Sequence, residues 1–531
     1  MLLRAVHLGA DTPPQIDPGS AALYVDEGYK TLSPRNVILF GREHWNPNDD
    51  YSGWTWRSPL TQASFYLAFS AFGATVYSAR GVSVFYFALL LASYAIAMRA
   101  RYRFTVYILG LVVLGLESTI FFFSRAALIE IPLCTILYAL LFSLPRLSRD
   151  GARLPMLLTV VAAGFAALGL KATAILYFLP VLAATLLYSL RETNAPWFTR
   201  YGWFSRYGAL TAVAIIALGA GLFATFDLWW RGFAPLTPER IARRILFPPI
   251  IEQSPFVVLL GLVCALSALS TRPRLYLQDL YRLSLLSILL IGPVLLAFVS
   301  NPFRYYVPLL PAYLLFFVEW VELRAWQQPQ QRSSGWLRLA LIGLLVVLLF
   351  YAGVAVDRER GFISGWTLLL VSMLGAVFVW MRRFQLLGPK SLATVAAALG
   401  LALAAGSGAT IGSFLVAPSY HATDIGKRLS RIVKDGESVA GDWAPFLTLG
   451  TGIRSLYVND RVNAPNRIRD LAPTYYLYNE KPYTEALSLK AVAKAGQVSF
   501  GNAIALGTYN QRAVSLYRIS YGDLAKPGAT H

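Results

Sequence analysis

The chain has 531 residues, of which 56% are hydrophobic and 14% are charged, and its mean hydropathy is +0.52. A soluble domain needs a larger charged surface, so this composition excludes an ordinary soluble enzyme and indicates a protein with several membrane spans. The formal net charge of +19 does not indicate nucleic-acid binding, because the arginines occur in twos and threes between apolar runs and not on one basic face.

Residues 1–80 are predicted to form an extracytoplasmic region with an acidic loop and interfacial helices. Residues 11–59 are polar and rich in Pro and Trp, and this stretch is too long for a simple connector. Within it, Asp26 and Glu27 are adjacent and lie between aromatic residues. Residues 60–72 are apolar and aromatic but too short to cross a bilayer, so we expect a helix that lies in the membrane interface.

Residues 81–414 are predicted to form a polytopic bundle of about 12 transmembrane helices. Several segments are shorter than the roughly 20 residues that a hydrocarbon core requires, so their ends can shift or a pair of them can be re-entrant. The twelve segments are 81–98, 104–123, 126–144, 155–170, 172–190, 208–226, 255–270, 283–300, 303–321, 339–355, 362–380 and 392–414.

The charges between these segments predict the orientation of the bundle. Six alternate connections, from 99–103 to 382–390, carry three cations each, so they are expected to be cytoplasmic. Asp26 and Glu27 then lie outside, together with both chain ends. Because nothing in the sequence would carry the amino terminus outside, we expect that a first transmembrane helix, ending near residues 1–10, is missing from this sequence.

Residues 415–531 differ from the bundle because they are polar and of mixed composition. Strand-like segments alternate with helix-like stretches such as ALSLKAVAKAG, which predicts a small α/β domain of about one hundred residues. By parity it lies on the same side as Asp26. The predicted strands are ESVAGDW, IRSLYV, TYYLYN, NAIALGTYN and RAVSLYRI.

Three carboxylates are candidates for catalysis. Asp26 and Glu27 form either a solvated turn or a general base that takes a proton from an acceptor hydroxyl. Glu130 lies about one turn inside the third span, where an unpaired carboxylate costs a few kcal/mol. We therefore expect Glu130 either to pair with a cation such as Arg125 or to face the same cavity as Asp26.

Cations on the predicted outer face are candidates for anion binding, because their position runs against the topology rule. Phosphate is the anion that best suits both the fork of Arg and the point charge of Lys. For any one of these residues, the alternative is snorkelling to lipid headgroups. The predicted substrate-binding residues are Arg125, Lys171, Arg243, Arg244, Arg304 and the adjacent Tyr305.

Other chemistry has less support in the sequence. His44 is close to Asp49 and Asp50, but the spacing matches no standard metal site, so we predict no metal and no cofactor and leave a divalent cation as the alternative. The sequence has no Walker loop, no GxGxxG that opens a helix and no GxSxG elbow. These absences argue against nucleotide-driven transport and serine hydrolysis.

Five segments within residues 20–320 resemble the membrane-embedded GT-C glycosyltransferases, and the most similar groups are the protein O-mannosyltransferases and the bacterial lipid A aminoarabinose transferases. The order and spacing of the segments carry this resemblance more than any one of them. Residues 57–60 depart from it, because they read RSPL where these families often have a His-Pro-Pro type sequence. The five segments are VDEGYKTLSPRNVILFG, WRSPLTQASFYLAFSAFG, SRAALIEIPL, GLKATAILYFLPVL and FRYYVPLLPAY.

The resemblance implies an inverting transfer of a sugar from a polyprenyl phosphate at the outer face of the cell membrane. It implies that Asp26 is the base, with Glu27 beside it, and that Glu130 lines the same cavity. The lipid phosphate would be held by Arg125, Lys171 and Arg304. Members of these families have a span before the acidic loop, in agreement with the missing first helix.

Two other functions stay open from the sequence. A transporter or flippase of lipid-linked sugars would use the same cations, but it is expected to show broken helices at the bilayer midplane and repeat symmetry. A noncatalytic membrane subunit would use its C-terminal domain to recruit a partner. For the enzyme, the predicted partners are the lipid-linked donor, the bilayer and an unidentified protein, lipid or glycan acceptor, and no nucleic acid.

Overall fold

A computed structural model describes most of the amino-terminal half of the chain and most of the C-terminal domain. The predicted spans 208–226, 339–355 and 362–380 lie outside the described residues, and 255–270 is described only in part. The described ranges are 1–13, 22–51, 58–149, 153–191, 280–297, 303–324, 389–459, 462–480, 485–509 and 512–522, with residue 16 and single residues between 254 and 279.

Asp26 and Glu27 lie in a helix of 19 residues, where the sequence predicted a loop. Gly28 and Pro34 make this helix difficult to predict from the sequence, because both residue types have low helix propensity. Pro34 has no N–H, so the helix leaves the carbonyl of Lys30 without its usual donor. The side chain of Gln62 supplies one at 3.3 Å. The first three helices are α1 (Leu2–Ala5), α2 (Ala22–Phe40) and α3 (Pro59–Phe72).

The bundle consists of apolar helices, as predicted, although the number of spans stays a prediction. Among the described residues, four helical segments are long and apolar enough to cross a membrane, namely Val76–Met98, Glu130–Leu147, Leu280–Ala297 and Arg304–Leu323. The helices are α4 (Val76–Met98), α5 (Phe104–Leu116), α6 (Ser118–Phe123), α7 (Glu130–Arg149), α8 (Arg153–Leu170), α9 (Ile175–Arg191), α10 (Leu280–Ala297), α11 (Leu310–Arg324) and α12 (Pro389–Val416), with 3-10 helices at Ala172–Ala174 and Phe303–Leu309.

The predicted span 104–123 is two helices and not one, because the chain breaks at Glu117 between α5 and α6. The Glu117 carboxylate accepts the Ile120 N–H at 2.6 Å and so caps the start of α6. It also lies 3.4 Å from the hydroxyl of Ser254. A carboxylate at this position satisfies an amide that the helix itself leaves unpaired, so Glu117 has a structural use.

A buried ion cluster joins α10 and α11 to the connection between α4 and α5. Glu319 accepts hydrogen bonds from Arg101 at 2.6 Å, from Arg282 at 2.7 Å and from Tyr102 at 2.8 Å. Asp279 accepts a further bond from Arg101 at 3.0 Å. Two cations and a phenol around one carboxylate offset its desolvation, so the charge is tolerated inside the bundle.

The C-terminal region contains the predicted small sheet domain. Its five strands have the order β2-β1-β3-β5-β4; β1 is parallel to β2 and β3, and the other pairs are antiparallel. The strands are β1 (Ser438–Gly441), β2 (Arg454–Tyr457), β3 (Tyr475–Asn479), β4 (Val498–Tyr509) and β5 (Arg512–Tyr521), and the helices are α13 (His421–Ile432), α14 (Ala444–Leu447), α15 (Ile468–Leu471) and α16 (Leu489–Gly496).

Helix α2 packs directly against this domain. The guanidinium of Arg35 is fully buried and donates to three carbonyls, those of Thr448 at 3.1 Å, Thr451 at 2.8 Å and Ile453 at 2.6 Å. Gly28 lies against Phe446 of α14, and a Cβ at Gly28 would overlap the Phe446 backbone. The domain therefore contacts α2 at residues next to the acidic pair.

Replacement of Gly28 by Ala should loosen this contact. The added methyl group would come within 2.7 Å of the Phe446 Cα, so α2 and α14 have to separate. Overpacking of this kind typically costs about 1–3 kcal/mol. We expect a lower unfolding temperature in detergent and faster limited proteolysis of the C-terminal domain.

Gly81→Ala in α4 is the matched control, because nothing lies within 4 Å of a Cβ built at Gly81. Alanine in a helix interior is favoured over glycine by up to about 1 kcal/mol, so this variant should be as stable as the original protein or more so. Equal stability of the two variants would contradict the close packing of α2 on α14.

Candidate active site

The two carboxylates of the acidic pair contact different cations. Asp26 forms an ion pair with Arg304, which lies in the 3-10 helix Phe303–Leu309 just before α11. These residues are far apart in the chain and were both predicted as site residues. A carboxylate predicted as a base and a cation predicted to bind phosphate thus lie side by side.

Glu130 and Lys171 form the second ion pair of the site. Glu130 is the first residue of α7, and Lys171 lies between α8 and the 3-10 helix Ala172–Ala174. The Lys171 Nζ donates to the Glu130 carboxylate at 2.8 Å and lies 3.7 Å from the centroid of the Tyr305 ring. The expected partner of Glu130 is therefore Lys171 and not Arg125.

Lys30 belongs to the same site, although it was not among the predicted site residues. It follows Asp26 by four residues on α2, so the two side chains lie on one face of the helix. Burial and the charge of Lys171 lower the pKa of Lys30 to about 8, against smaller opposing effects of Tyr305 and Glu130. Had the helix been recognised, this spacing would have pointed to Lys30.

We call Asp26, Lys30, Glu130, Lys171, Arg304 and Tyr305 the acid-base cluster. Its three cations and two carboxylates leave one excess positive charge at neutral pH. Arg304 lies 5.4 Å and Lys171 3.7 Å from the centroid of the Tyr305 ring, so both cations are close to the same aromatic ring. A half-buried set of charges with this excess is suited to bind an anion.

Glu27 is held away from the cluster by Arg80 of α4. Both of its oxygens accept from the Arg80 guanidinium at 2.9 Å, and one also accepts the N–H of Ala127 at 2.6 Å. Arg80 donates in addition to the carbonyls of Leu8 at 2.9 Å and Ala10 at 2.5 Å. Glu27 therefore ties α2 to three other parts of the chain, while its predicted catalytic role stays a prediction.

Arg125 binds the amino-terminal segment. Its guanidinium donates to the carbonyls of Leu3, Arg4, Val6 and His7 at 3.2, 2.8, 2.6 and 2.6 Å. The guanidinium that was predicted to bind phosphate is thus occupied by four backbone carbonyls of the chain itself. The described contacts do not place Arg125 in the acid-base cluster. Arg243 and Arg244 lie outside the described residues.

His44 lies beside two carboxylates. Its ring nitrogens are 3.7 Å from a Glu43 oxygen and 3.8 Å from an Asp49 oxygen. The neighbouring Asp49 carboxylate raises the pKa of His44, and burial opposes this effect. In the described part of the chain, no group of three or more His, Cys, Asp or Glu side chains is arranged to hold a metal ion.

Comparison with known proteins gives a likeness only at the level of solved structures. No protein-family model and no curated protein matches the chain. The chain is similar to ArnT from Cupriavidus metallidurans bound to undecaprenyl phosphate, with 15% identity and a TM-score of 0.47 over 95% of each chain. It is also similar to the apo state of that protein, with 15% identity and a TM-score of 0.48 over 92% of this chain and 93% of that chain. The function has to be inferred from the residues of the site.

The Glu27–Arg80 pair predicts a large stability effect. Glu27→Gln leaves the buried Arg80 guanidinium without its counter-charge, which typically costs about 3–5 kcal/mol. We expect a marked fall of the unfolding temperature in detergent. The double variant Glu27→Gln with Arg80→Met should be more stable than the sum of the two single effects, since no unpaired charge remains.

An active-site role of Glu27 would give a different result. Glu27→Gln would then unfold at the temperature of the original protein and lose only activity. In that case the Glu27–Arg80 ion pair would not be required to position α2.

Proposed function

We propose that this protein is a multi-pass membrane glycosyltransferase. It transfers a sugar from a polyprenyl-phosphate donor to the hydroxyl of an acceptor at the extracytoplasmic face of the cell membrane, where the C-terminal domain also lies. The observation that supports this most directly is the acid-base cluster, in which a carboxylate and an excess of cations meet next to membrane-spanning helices. The family resemblance of the sequence points to the same chemistry.

The cations of the cluster suit the phosphate of such a donor. A phosphodiester carries one negative charge, and a second one develops on the phosphate as the bond to the sugar breaks. Lys30, Lys171 and Arg304 are held in place before the reaction starts, so they stabilise this charge without reorganisation of solvent. Glu130 keeps Lys171 in position through the 2.8 Å ion pair.

Asp26 suits the role of general base. It takes the proton of the acceptor hydroxyl while the hydroxyl oxygen attacks the anomeric carbon on the side opposite the phosphate. The bond between the anomeric carbon and the phosphate oxygen breaks, and the lipid phosphate leaves with the electron pair. The products are the inverted glycoside, a protonated Asp26 and the free polyprenyl phosphate. No nucleotide is required, because the glycosyl phosphate bond supplies the energy.

The first test is the substitution of Asp26 by Asn. Purified protein is incubated with a panel of radiolabelled polyprenyl-phosphate sugars, and consumption of each donor and formation of glycoside are measured. Loss of a positioned base typically slows the reaction 10²–10⁴-fold, so we expect Asp26→Asn to lose about that much activity. Asp424→Asn is the matched control, since Asp424 is an exposed acid on α13.

Two results would contradict the proposal, the first its base and the second the sugar transfer itself. Glycoside formation by Asp26→Asn at the original rate would show that Asp26 is not the base. Movement of a lipid-linked sugar across reconstituted vesicles, with no glycoside formed from any donor, would favour the transporter. For the first result, both Asp26→Asn and Asp424→Asn have to insert and unfold like the original protein.

The pKa of Lys30, about 8, predicts a pH effect on donor use. Below this pH Lys30 is protonated and attracts phosphate, and above it the charge is lost, so kcat/KM for the donor should fall as the pH rises through about 8. In Lys30→Arg the side chain stays protonated over this range, so the fall of kcat/KM near pH 8 should be absent. An identical alkaline fall in both proteins would mean that another group titrates.

A further inference from the structure

The start of α3 and the turn after α8 form one wall next to the acid-base cluster. The hydroxyl of Thr61 donates to the carbonyl of Leu170 at 2.9 Å, and Leu170 immediately precedes Lys171. Leu60 packs so closely on the end of α8 that a Cβ at Gly169 would lie 3.0 Å from its side chain. Residues 60–62 are therefore fixed against residues 169–171.

Gln62 carries an unused hydrogen-bond acceptor in this wall. The side chain is 6% exposed, and its nitrogen donates to the Lys30 carbonyl at 3.3 Å. Its amide oxygen is buried and has no hydrogen-bond partner among the described residues. A buried acceptor that stays unpaired costs about 1–3 kcal/mol, so a ligand with a hydrogen-bond donor would be favoured at this oxygen.

A second unused polar atom belongs to the turn after α8. The hydroxyl oxygen of Thr173, two residues after Lys171, is buried and likewise has no partner in the described part of the chain. Neither Gln62 nor Thr173 is charged. Gln62 is linked to Lys30 by its hydrogen bond to the Lys30 carbonyl, and Thr173 belongs to the same turn as Lys171. The wall thus offers one acceptor and one hydroxyl beside the charged groups.

We propose that Gln62 binds a hydroxyl group of the transferred sugar and thereby determines which sugar is accepted. This inference rests on the proposed glycosyltransferase function and adds a sugar contact to it. A sugar hydroxyl both donates and accepts, so it can donate to the amide oxygen of Gln62 and accept from Thr173. The cations of the cluster are left for the phosphate, which is attached to the anomeric carbon of the same sugar.

The chemistry of the wall limits the substrate class. A carboxylate on the sugar would place acceptor against acceptor at Gln62, and a deoxy position would leave the amide oxygen unpaired. The site therefore favours a sugar with a hydrogen-bond donor at this position. Rejection of a missing hydroxyl by a site built to bind it is the strongest form of discrimination that a polar pocket provides.

The test compares the donor found in the panel with its monodeoxy analogues. We expect the original protein to reject one analogue on the order of 10²-fold or more in kcat/KM. Gln62→Met has similar length but no polar atoms, so its kcat/KM for the parent donor should fall towards that for this analogue, and the ratio between them should drop below about tenfold. The ratios for the other analogues should stay as they were.

Gln62→Glu separates the two bonds of the side chain. It keeps acceptor oxygens but loses the N–H that donates to the Lys30 carbonyl, so the discrimination should survive even if overall activity falls. Thr61→Val is the matched control, because the hydroxyl of Thr61 already bonds to Leu170 and its loss should not change the ratio. Unfolding temperatures are measured for all variants.

Two outcomes would overturn the proposal. One is that Gln62→Met keeps the original ratio for every deoxy analogue; the other is that Gln62→Glu loses the discrimination as completely as Gln62→Met does. Either result would show that Gln62 only supports α2 or holds a water molecule. Failure of the proposed function looks different, because then the original protein consumes no lipid-linked sugar, and the sugar contact falls with it.

Discussion

The arrangement of the site depends on the buried ion pair between Glu27 and Arg80. Adjacent residues on a helix point in different directions, so the two carboxylates of α2 cannot serve one cation. Glu27 turns to Arg80 and the Ala127 N–H, and Asp26 turns to Arg304. The first contact is nearly closed to solvent, and breaking it would leave a buried charge, so α2 has little freedom to rotate. Asp26 is thereby directed to the cluster.

Two residues that weaken α2 as an isolated helix are used by its surroundings. Gly28 and Pro34 lower helix stability by about 1 and about 3 kcal/mol relative to Ala. Gly28 lets Phe446 approach the helix backbone, and Pro34 frees the Lys30 carbonyl for Gln62. The helix is therefore stabilised by its neighbours more than by its own sequence, and the C-terminal domain is one of those neighbours. The hydrogen bonds from Arg35 to three carbonyls of that domain also stabilise α2 in this position.

Features that depend on local pattern were predicted best from the sequence. All five strands of the C-terminal sheet overlap segments predicted as strands, although β4 begins four residues before its predicted segment. The need of Glu130 for a cation follows from the cost of an unpaired charge in a membrane. Prediction failed where tertiary contacts decide. Helix α2 was predicted as a loop because residues 11–59 are polar and rich in Pro and Trp, and Gly28 and Pro34 give no support to a helix when no neighbour is known. Lys171 and Arg125 were indistinguishable as outer-face cations, and only folding directs one to Glu130 and the other to backbone carbonyls.

The pair of Asp26 and Arg304 gives the proposed reaction an order. A phosphate that enters the cluster competes with the Asp26 carboxylate for the Arg304 guanidinium, because both are oxygen anions that suit the same fork. Once the phosphate holds Arg304, Asp26 loses this cation and keeps Lys30 one helical turn away. A carboxylate with fewer nearby cations binds a proton more readily. In the proposed reaction, Asp26 would therefore become effective as a base only after the donor is bound. An acceptor hydroxyl that arrives earlier meets a carboxylate that is already neutralised, so the site favours binding of the donor before proton transfer from the acceptor.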